Sequence, residues 1–527
     1  MKKICLFILI ISVLFSAFFV SCKKEAEEKG GGGELVVWNQ AEPQSLDWHL
    51  IEGVPEHRIY YSLGEGLVSS DPETAEPVPG VAESWEIDPT GTKITFKLRK
   101  TTWSDGVPIT AQTFVDSWLR ILDPKTAAPY AWFPGDLIKG AGDFMEGTAG
   151  PESVGIRAVD DYTFEVTLVG AMPAAVSAMS HYAFAIVPLH KIKENPDSWT
   201  MPENYVGNGP FVLDEWKPQE ILSVKKNDKY WDKKNVKLDR VVYIPTDDDN
   251  VGFNMYLNGE VDWAPEVPLE QLDAVKLRDD YVVAPYLGVY YYIFQVEKPP
   301  VNDVRVRKAL SMALDRKTLV EKVTAAGETA GYSMVPPMAG YDPTPGIGED
   351  LAKAKQLLAE AGYPDGKGFP KLEILYNTSD RHLKIAEFIQ EQWEKNLGIK
   401  CELVNQEWKT YLDTRKQGEF MVARAGWIAD YPDPSTFLDM FGSGKAMNGG
   451  KYSNKEFDEL IGKASTMKPG PERFAALRKA EDIFITQDQG VMPIYHYVSQ
   501  SMIDTTKWGG WYPNAMDWHP TKTIYKK

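Results

Sequence analysis

The chain has 527 residues, more than a single hydrophobic core serves, so two to four domains are expected. Its 43% hydrophobic and 25% charged content is that of a soluble globular protein. A net charge of −18 argues against nucleic acid as the partner, because phosphate binding needs a basic face, and it is compatible with cationic ligands.

Lys2 and Lys3 precede an apolar run, residues 4–20, that ends at Ser21. A charged start, a short apolar segment and a small residue make a secretory signal, expected to cover residues 1–21. Phe19-Val20-Ser21-Cys22 is similar to the lipobox at which bacterial lipoproteins are cleaved and lipidated, with Phe where Leu is usual. Cys22 is therefore the expected lipid site. Residues 22–33 read as its tether, charged, Gly-rich and unable to pack. Cys5 leaves with the signal, so Cys401 stands alone as a small buried hydrophobe and no internal disulfide is possible. No second apolar segment is long enough to span a bilayer.

Residues 34–39 read as a strand. Residues 92–100 alternate, with Ile94, Phe96 and Leu98 on one face and Lys93, Thr95, Lys97 and Arg99 on the other, which is a half-buried strand. Thr110 is placed to cap a helix through Leu122 that buries Phe114, Val115, Trp118 and Leu122. Strands follow at 162–169, 211–213, 221–225 and 240–244. Beyond Pro299-Pro300 the pattern changes to long helices, at 304–323 and 351–362, the second ending on Gly362. A strand at 372–377, a helix at 382–397 and a strand at 399–406 form a βαβ crossover with parallel strands. Ligands collect beyond the carboxyl ends of such strands, so residues 377–382 and 405–408 belong to a cleft edge. A helix at 411–417 and a short strand at 419–424 return the chain to that edge, and a helix (471–485) and a strand (491–498) close the region.

Catalytic and metal constellations are missing from the pattern. The seven histidines are scattered, and there is no HExxH, CxxC or GxSxG. GSGKA at 442–446 lacks the first glycine and the Ser/Thr of a phosphate loop. TDDDN at 246–250 fails the calcium-loop spacing and reads as the acidic first turn of a helix. No cofactor or metal is expected. A paired-carboxylate hydrolase stays open.

The stretch that stands out is RAGWIADYPDP, residues 424–434. Asp430 lies between Trp427 and Tyr431, with Arg424 upstream. An acid in an aromatic setting is costly to bury without a partner, and a ligand ammonium would serve. By spacing alone the same residues also describe a surface loop whose Asp caps a turn.

AESW (82–85), TFKLRK (95–100), WSDGVPITAQTFVDSW (103–118), NDVRVRKAL (302–310), NTSDRH (377–382), NQEWKTYLDTRKQG (405–418) and RAGWIADY (424–431) resemble the family-5 solute-binding proteins of ABC importers. The likeness runs from about residue 34 to the C-terminus and, in its last three segments, is specific to the oligopeptide branch. It implies an α/β fold of the type II periplasmic binding protein kind, two lobes in three domains of mixed sheets flanked by helices, joined by a two-strand hinge. Residues 34–64, 190–287 and 498–527 would form a discontinuous lobe I, 65–189 an extra domain packed on it, and 288–497 lobe II. It further implies a non-enzymatic, monomeric receptor that is periplasmic or at the cell surface. Its partners would be short peptides, ABC permease subunits and a membrane reached through the lipid. Another solute (oligosaccharide, dipeptide or metal chelate) or an adhesin or signalling lipoprotein on the same fold is the alternative.

Carried over from the resemblance, Asp430 meets the peptide ammonium, and the peptide main chain pairs as an added strand with Glu52, Gly53 and Val54 and with Gly426 and Ile428. Arg424, Arg415 and His382 match basic groups that meet the ligand carboxylate, while a lysine of the family falls at Thr324. Tyr130, Trp408, Trp427 and Tyr497 match ring neighbours. The family's reference protein has a disulfide where this chain has Ile428 and Gly288, a change expected to leave the fold intact. From the residues alone, Trp408 and Tyr497 could equally be core, His382 a helix N-terminal residue without a ligand role, and Arg415 a solvated helix arginine, the reading favoured for it.

Overall fold

Two long strands, Tyr281–Phe294 and Val491–Ile503, hold the protein together in a computed structural model that describes residues 32–527 apart from Pro173, Ala339 and Pro469. The signal segment, Cys22 and most of the tether lie outside the described residues. The two strands pair antiparallel from Tyr281↔Met502 to Ile293↔Val491, with register breaks between Pro285 and Val289 and between Tyr290 and Tyr291. A proline cannot donate to the ladder, which fits a break beginning at Pro285.

Each end of the pair carries a different half of one 11-stranded sheet. Beside Met502 and Ile503 lies Trp263–Ala264, then Glu34–Trp38, Arg240–Ile244, Ile221–Lys226 and Phe211–Lys217. Beside residues 288–294 lies Val422–Ile428, then Leu372–Asn377 and Cys401–Gln406. The halves of the sheet are joined through the long pair, the arrangement of a two-strand hinge. A separate four-stranded antiparallel sheet runs Ala82–Ile87, Lys93–Leu98, Thr163–Thr167, Ile156–Asp160. Ile94, Phe96 and Leu98 point into its core as their alternation requires. Helix Ala111–Leu122 covers it, with Trp118 edge-on to Phe164 at 5.1 Å.

The βαβ unit forms as expected. Leu372–Asn377 and Cys401–Gln406 pair in parallel through six successive positions, Leu372↔Cys401 to Asn377↔Gln406. The Ser379 side chain caps helix Asp380–Leu397, and Gly398 ends it at φ +70°, a left-handed turn that glycine adopts without a Cβ clash. Ile385, Ile389 and Trp393 are buried and Phe388 partly so. Cys401 is a free, buried thiol, pushed up to about 12 by burial.

Three expectations need correction. The helix expected over 304–323 breaks into Val304–Met312, Arg316–Thr318 and a wide turn, Leu319–Thr324. Asp315 starts a new helix by accepting the Thr318 amide at 2.9 Å, and the buried Arg316 guanidinium donates to Ser311 O and Pro493 O at 3.0 and 2.8 Å. The strand expected at 419–424 is instead Val422–Ile428, so the RAGWI stretch is strand and not loop. Cross-strand pairing of Gly288–Phe294 with Val422–Ile428 overrides the local turn signal. The last long strand reaches Ile503, where an end at 498 is expected.

Candidate functional site

The Val422–Ile428 strand builds the site. One edge pairs with the long strand along its whole length. The other pairs with Leu372–Asn377 only at Val422 and Ala423, so residues 424–428 keep an open edge among the described residues. The Ala429 amide donates to Leu287 O. In an antiparallel pair alternate residues bond the partner strand, so Trp427 and Ala425 turn their backbone groups to it. Arg424, Gly426 and Ile428 turn theirs to the open edge. The Arg424 carbonyl there accepts the Tyr411 hydroxyl.

That edge borders a cavity of about 550 Å³, within the range of small-ligand sites. Its lining brings together every site residue expected from the sequence except Cys22: Glu52, Gly53, Val54, Tyr130, His382, Trp408, Arg415, Arg424, Gly426, Trp427, Ile428, Asp430 and Tyr497. Gly53 and Val54 contribute as the N-cap and first residue of helix Val54–Leu63 and not as a strand.

Asp430 is 5% exposed. Its backbone N–H donates to Thr436 Oγ1 at 3.1 Å, and that hydroxyl donates to Oδ2 at 3.3 Å. Oδ1 lies 3.3 Å from His181 Nε2. No lysine or arginine is paired with Asp430 among the described residues. Trp427 stacks on Tyr130 at 6.3 Å, and Tyr431 on Phe133 at 5.3 Å, so rings wall the carboxylate in.

Arg424 is half-buried. Nη1 donates to Asn377 Oδ1 at 3.2 Å and Nη2 to the Tyr497 hydroxyl at 3.1 Å, and the guanidinium sits 4.8 Å over the Tyr290 ring. It has no carboxylate partner among the described residues, and its buried Nε has no acceptor. The indole N–H groups of Trp408 and Trp427 are likewise buried and unpartnered. These donors await acceptors.

Two expectations change here. Arg415 is not a solvated arginine: it is half-buried, lines the cavity and lies 5.7 Å over the Tyr411 ring. Burial raises the Glu52 carboxyl pKa, and Arg415 opposes that rise. His382 lines the cavity with Nδ1 3.3 Å from the Tyr290 hydroxyl, but burial and then Arg424 hold its pKa well below the ordinary imidazole value. It is a neutral donor or acceptor rather than a basic group. Thr324 is fully buried and donates to Glu328 Oε2 at 3.0 Å.

Among the lining residues that the sequence reading did not single out are His181, Glu266, Glu328 and Arg381, the last within the 377–382 stretch expected at the cleft edge. Arg381 bridges Glu266 at 2.5 Å and Glu328 at 3.0 Å. Asp249, in the expected acidic first turn, lies against this group, and burial and then Glu266 raise its carboxyl pKa. Arg381 stands beside His382 in NTSDRH, just beyond the carboxyl end of the Leu372–Asn377 strand.

Residues 76–449 match the profile described as bacterial extracellular solute-binding proteins, family 5 middle. The chain is 40% identical over 506 residues to the periplasmic oligopeptide-binding protein OppA of Escherichia coli, covering 93% of this chain and 92% of that one. The chain belongs to the family-5 extracellular solute-binding proteins. A Borrelia burgdorferi crystal structure titled as a periplasmic oligopeptide-binding protein, OppAIV, superimposes on this family-5 protein with a TM-score of 0.91. It is 38% identical, and the match covers 94% of this chain and 100% of that one. The murein tripeptide-binding protein MppA of Escherichia coli, 37% identical with 94% and 98% coverage, gives 0.89. MppA in its unliganded open form, 36% identical with 94% and 97% coverage, gives only 0.64. This family-5 protein therefore stands in an arrangement unlike that open form.

Proposed function

We propose that this family-5 protein captures short peptides by their free termini and main chain and hands them to an ABC importer. One observation carries the reading. A single open strand edge has a buried carboxylate at one end, Asp430, and an unpaired guanidinium at the other, Arg424. A peptide in solution has one ammonium, one carboxylate and a backbone able to extend a strand. Main-chain pairing along Gly426 and Ile428 is common to all peptides and so is indifferent to sequence. Six residue steps of strand span at most about 20 Å, which suits a guest of a few residues.

The remaining parts of the reading follow from this role. Residues 34–64, 190–287 and 498–527 form lobe I, 65–189 the extra domain and 288–497 lobe II. Closure about the two long strands buries the guest, because its contacts with both lobes favour the closed form. The protein is exported, anchored by lipid on Cys22, works as a monomer and catalyses no reaction on its guest. The names of its relatives, an oligopeptide binder and a murein tripeptide binder, support a peptide guest.

The test is mass spectrometry of whatever is released when the purified protein is denatured. Peptides of a few residues with free termini and mixed sequence are expected. Sugars, or no small molecule together with no binding of added peptides, would defeat the reading.

A further inference from the structure

We propose that His181 is a positioning residue for Asp430, a neutral donor brought from the opposite wall of the cavity to aim the carboxylate at the ligand ammonium. This rests on the reading of Asp430 as the ammonium site.

His181 lies between helix Ala175–Ala178 and the turn Tyr182–Phe184, far in sequence from the strand that carries Asp430. Its exposure is 3% and that of Asp430 is 5%. The Ala183 backbone N–H donates to His181 Nδ1 at 3.2 Å. A nitrogen that accepts a hydrogen bond carries no proton, so in the neutral ring the proton sits on Nε2. Nε2 is the atom 3.3 Å from Asp430 Oδ1. The backbone thus selects the tautomer that places the ring proton on the nitrogen in contact with the carboxylate.

The ring cannot swing away. Tyr182 lies 3.9 Å from it, Tyr130 4.9 Å, and Phe133 and His57 5.5 Å each, centre to centre. In such surroundings a hydrogen bond is stronger than in water. Burial keeps the Tyr130 and Tyr182 phenols protonated and the His57 ring neutral, so the wall adds no cation to compete with a guest.

Asp430 is then met at both oxygens, by the His181 ring in contact with Oδ1 and by a hydrogen bond from Thr436 to Oδ2. The Thr436 loop is itself pinned, because Asp433 takes two bonds from the Arg473 guanidinium at 2.7 and 2.9 Å. A carboxylate accepts about four hydrogen bonds, so about two acceptor positions remain for the donors of an ammonium. Because His181 and Thr436 come from segments far apart in the chain, the ammonium site is complete only when those segments are together.

The experiment is a double-mutant cycle read by isothermal titration with tri-alanine on wild type, H181A, H181Q, D430N and H181A/D430N, with thermal melts to verify folding. H181A is expected to weaken tri-alanine about 10- to 100-fold, the range for a hydrogen bond to a charged group. H181Q, which keeps an N–H donor, should recover most of that loss. In the D430N background the His181 change should alter affinity less than about twofold, because its effect acts through the carboxylate. A loss that carries undiminished into D430N, or no loss in H181A while D430N binds weakly, overturns the proposal. An unchanged affinity in D430N overturns the reading of Asp430 itself, and the proposal with it.

Discussion

Arg381 and Glu266 meet at 2.5 Å across the cavity, one from the helix that follows the Leu372–Asn377 strand and the other from the loop after Trp263–Ala264. The two elements belong to opposite halves of the main sheet, so this ion pair spans the seam between them. Lys384 and Glu270 pair beside it, and Asn250 donates to Asp380 at 3.2 Å. At the far rim Lys445 pairs with Asp136. The closed arrangement is thus fastened at both rims by contacts between side chains.

Removing one partner of the central pair should loosen closure. Glu266→Ala leaves Arg381 with Glu328 alone, and breaking a mostly buried pair is costly. Tri-alanine affinity is expected to fall on the order of tenfold, mainly through faster dissociation, because the open form regains population. Stopped-flow dissociation rates check this. A rate equal to wild type would show that the pair does not bear on closure.

Asp430→Ala removes one side of a buried charge pair, a change worth roughly 2–5 kcal/mol. Peptide affinity should drop about 30- to 5000-fold, and N-acetylation of the peptide should cost wild type a similar amount. Calorimetry on both pairs provides the measurement. Unchanged affinity in the mutant would remove Asp430 from the site.

Arg424→Met should abolish discrimination between a tripeptide and its C-terminal amide. Wild type is expected to favour the free acid by on the order of 30-fold, since the guanidinium has no carboxylate partner among the described residues. Competition binding with the two ligands reads the ratio directly. A ratio near one in wild type would place the ligand carboxylate elsewhere.

The ends of two side chains crowd the Cα of Gly426. A Cβ there would lie 2.7 Å from the Tyr497 hydroxyl and 3.2 Å from Arg424 Nη2. Gly426→Ala should therefore displace both groups at the open edge, lowering tri-alanine affinity about tenfold while the melting midpoint holds. Equal affinity would show that the two side chains can yield without affecting the guest.

A pH effect follows from Glu56, which is fully buried at the start of helix Val54–Leu63. Burial raises its carboxyl from 4.5 to about 7 in the folded protein. Between those values the unfolded chain has lost the proton and the folded one keeps it, so stability falls as pH rises and the cost is complete above about pH 7. It amounts to about 3 kcal/mol. Glu56→Gln does not titrate. Its melting midpoint should match wild type near pH 4.5 and exceed it increasingly up to pH 7, then hold a constant lead. A lead independent of pH would contradict the shift.

Much of this was legible along the chain because its causes are local. The Ile94, Phe96, Leu98 alternation and the elements of the βαβ crossover are each decided by neighbours close along the chain. Gly288 and Ile428, named only through the resemblance, face each other across paired strands far apart in the chain, as positions able to hold a disulfide must. The bound on length and the acidic charge excluded a single core and argued against a nucleic-acid partner in the same way.

What the tertiary structure decided was the company each charge keeps. Nothing near Asp430 in the sequence points to His181, and nothing near Arg381 points to Glu266 and Glu328. Whether Arg415 faces water or the cavity depends on which surface helix Trp408–Gln417 turns towards the rest of the protein. The switch of RAGWI from turn to strand likewise came from a partner strand more than a hundred residues earlier. Helix periods and caps act over a turn or two of chain. Coulomb forces and strand pairing act through space, and only the closed fold sets those distances.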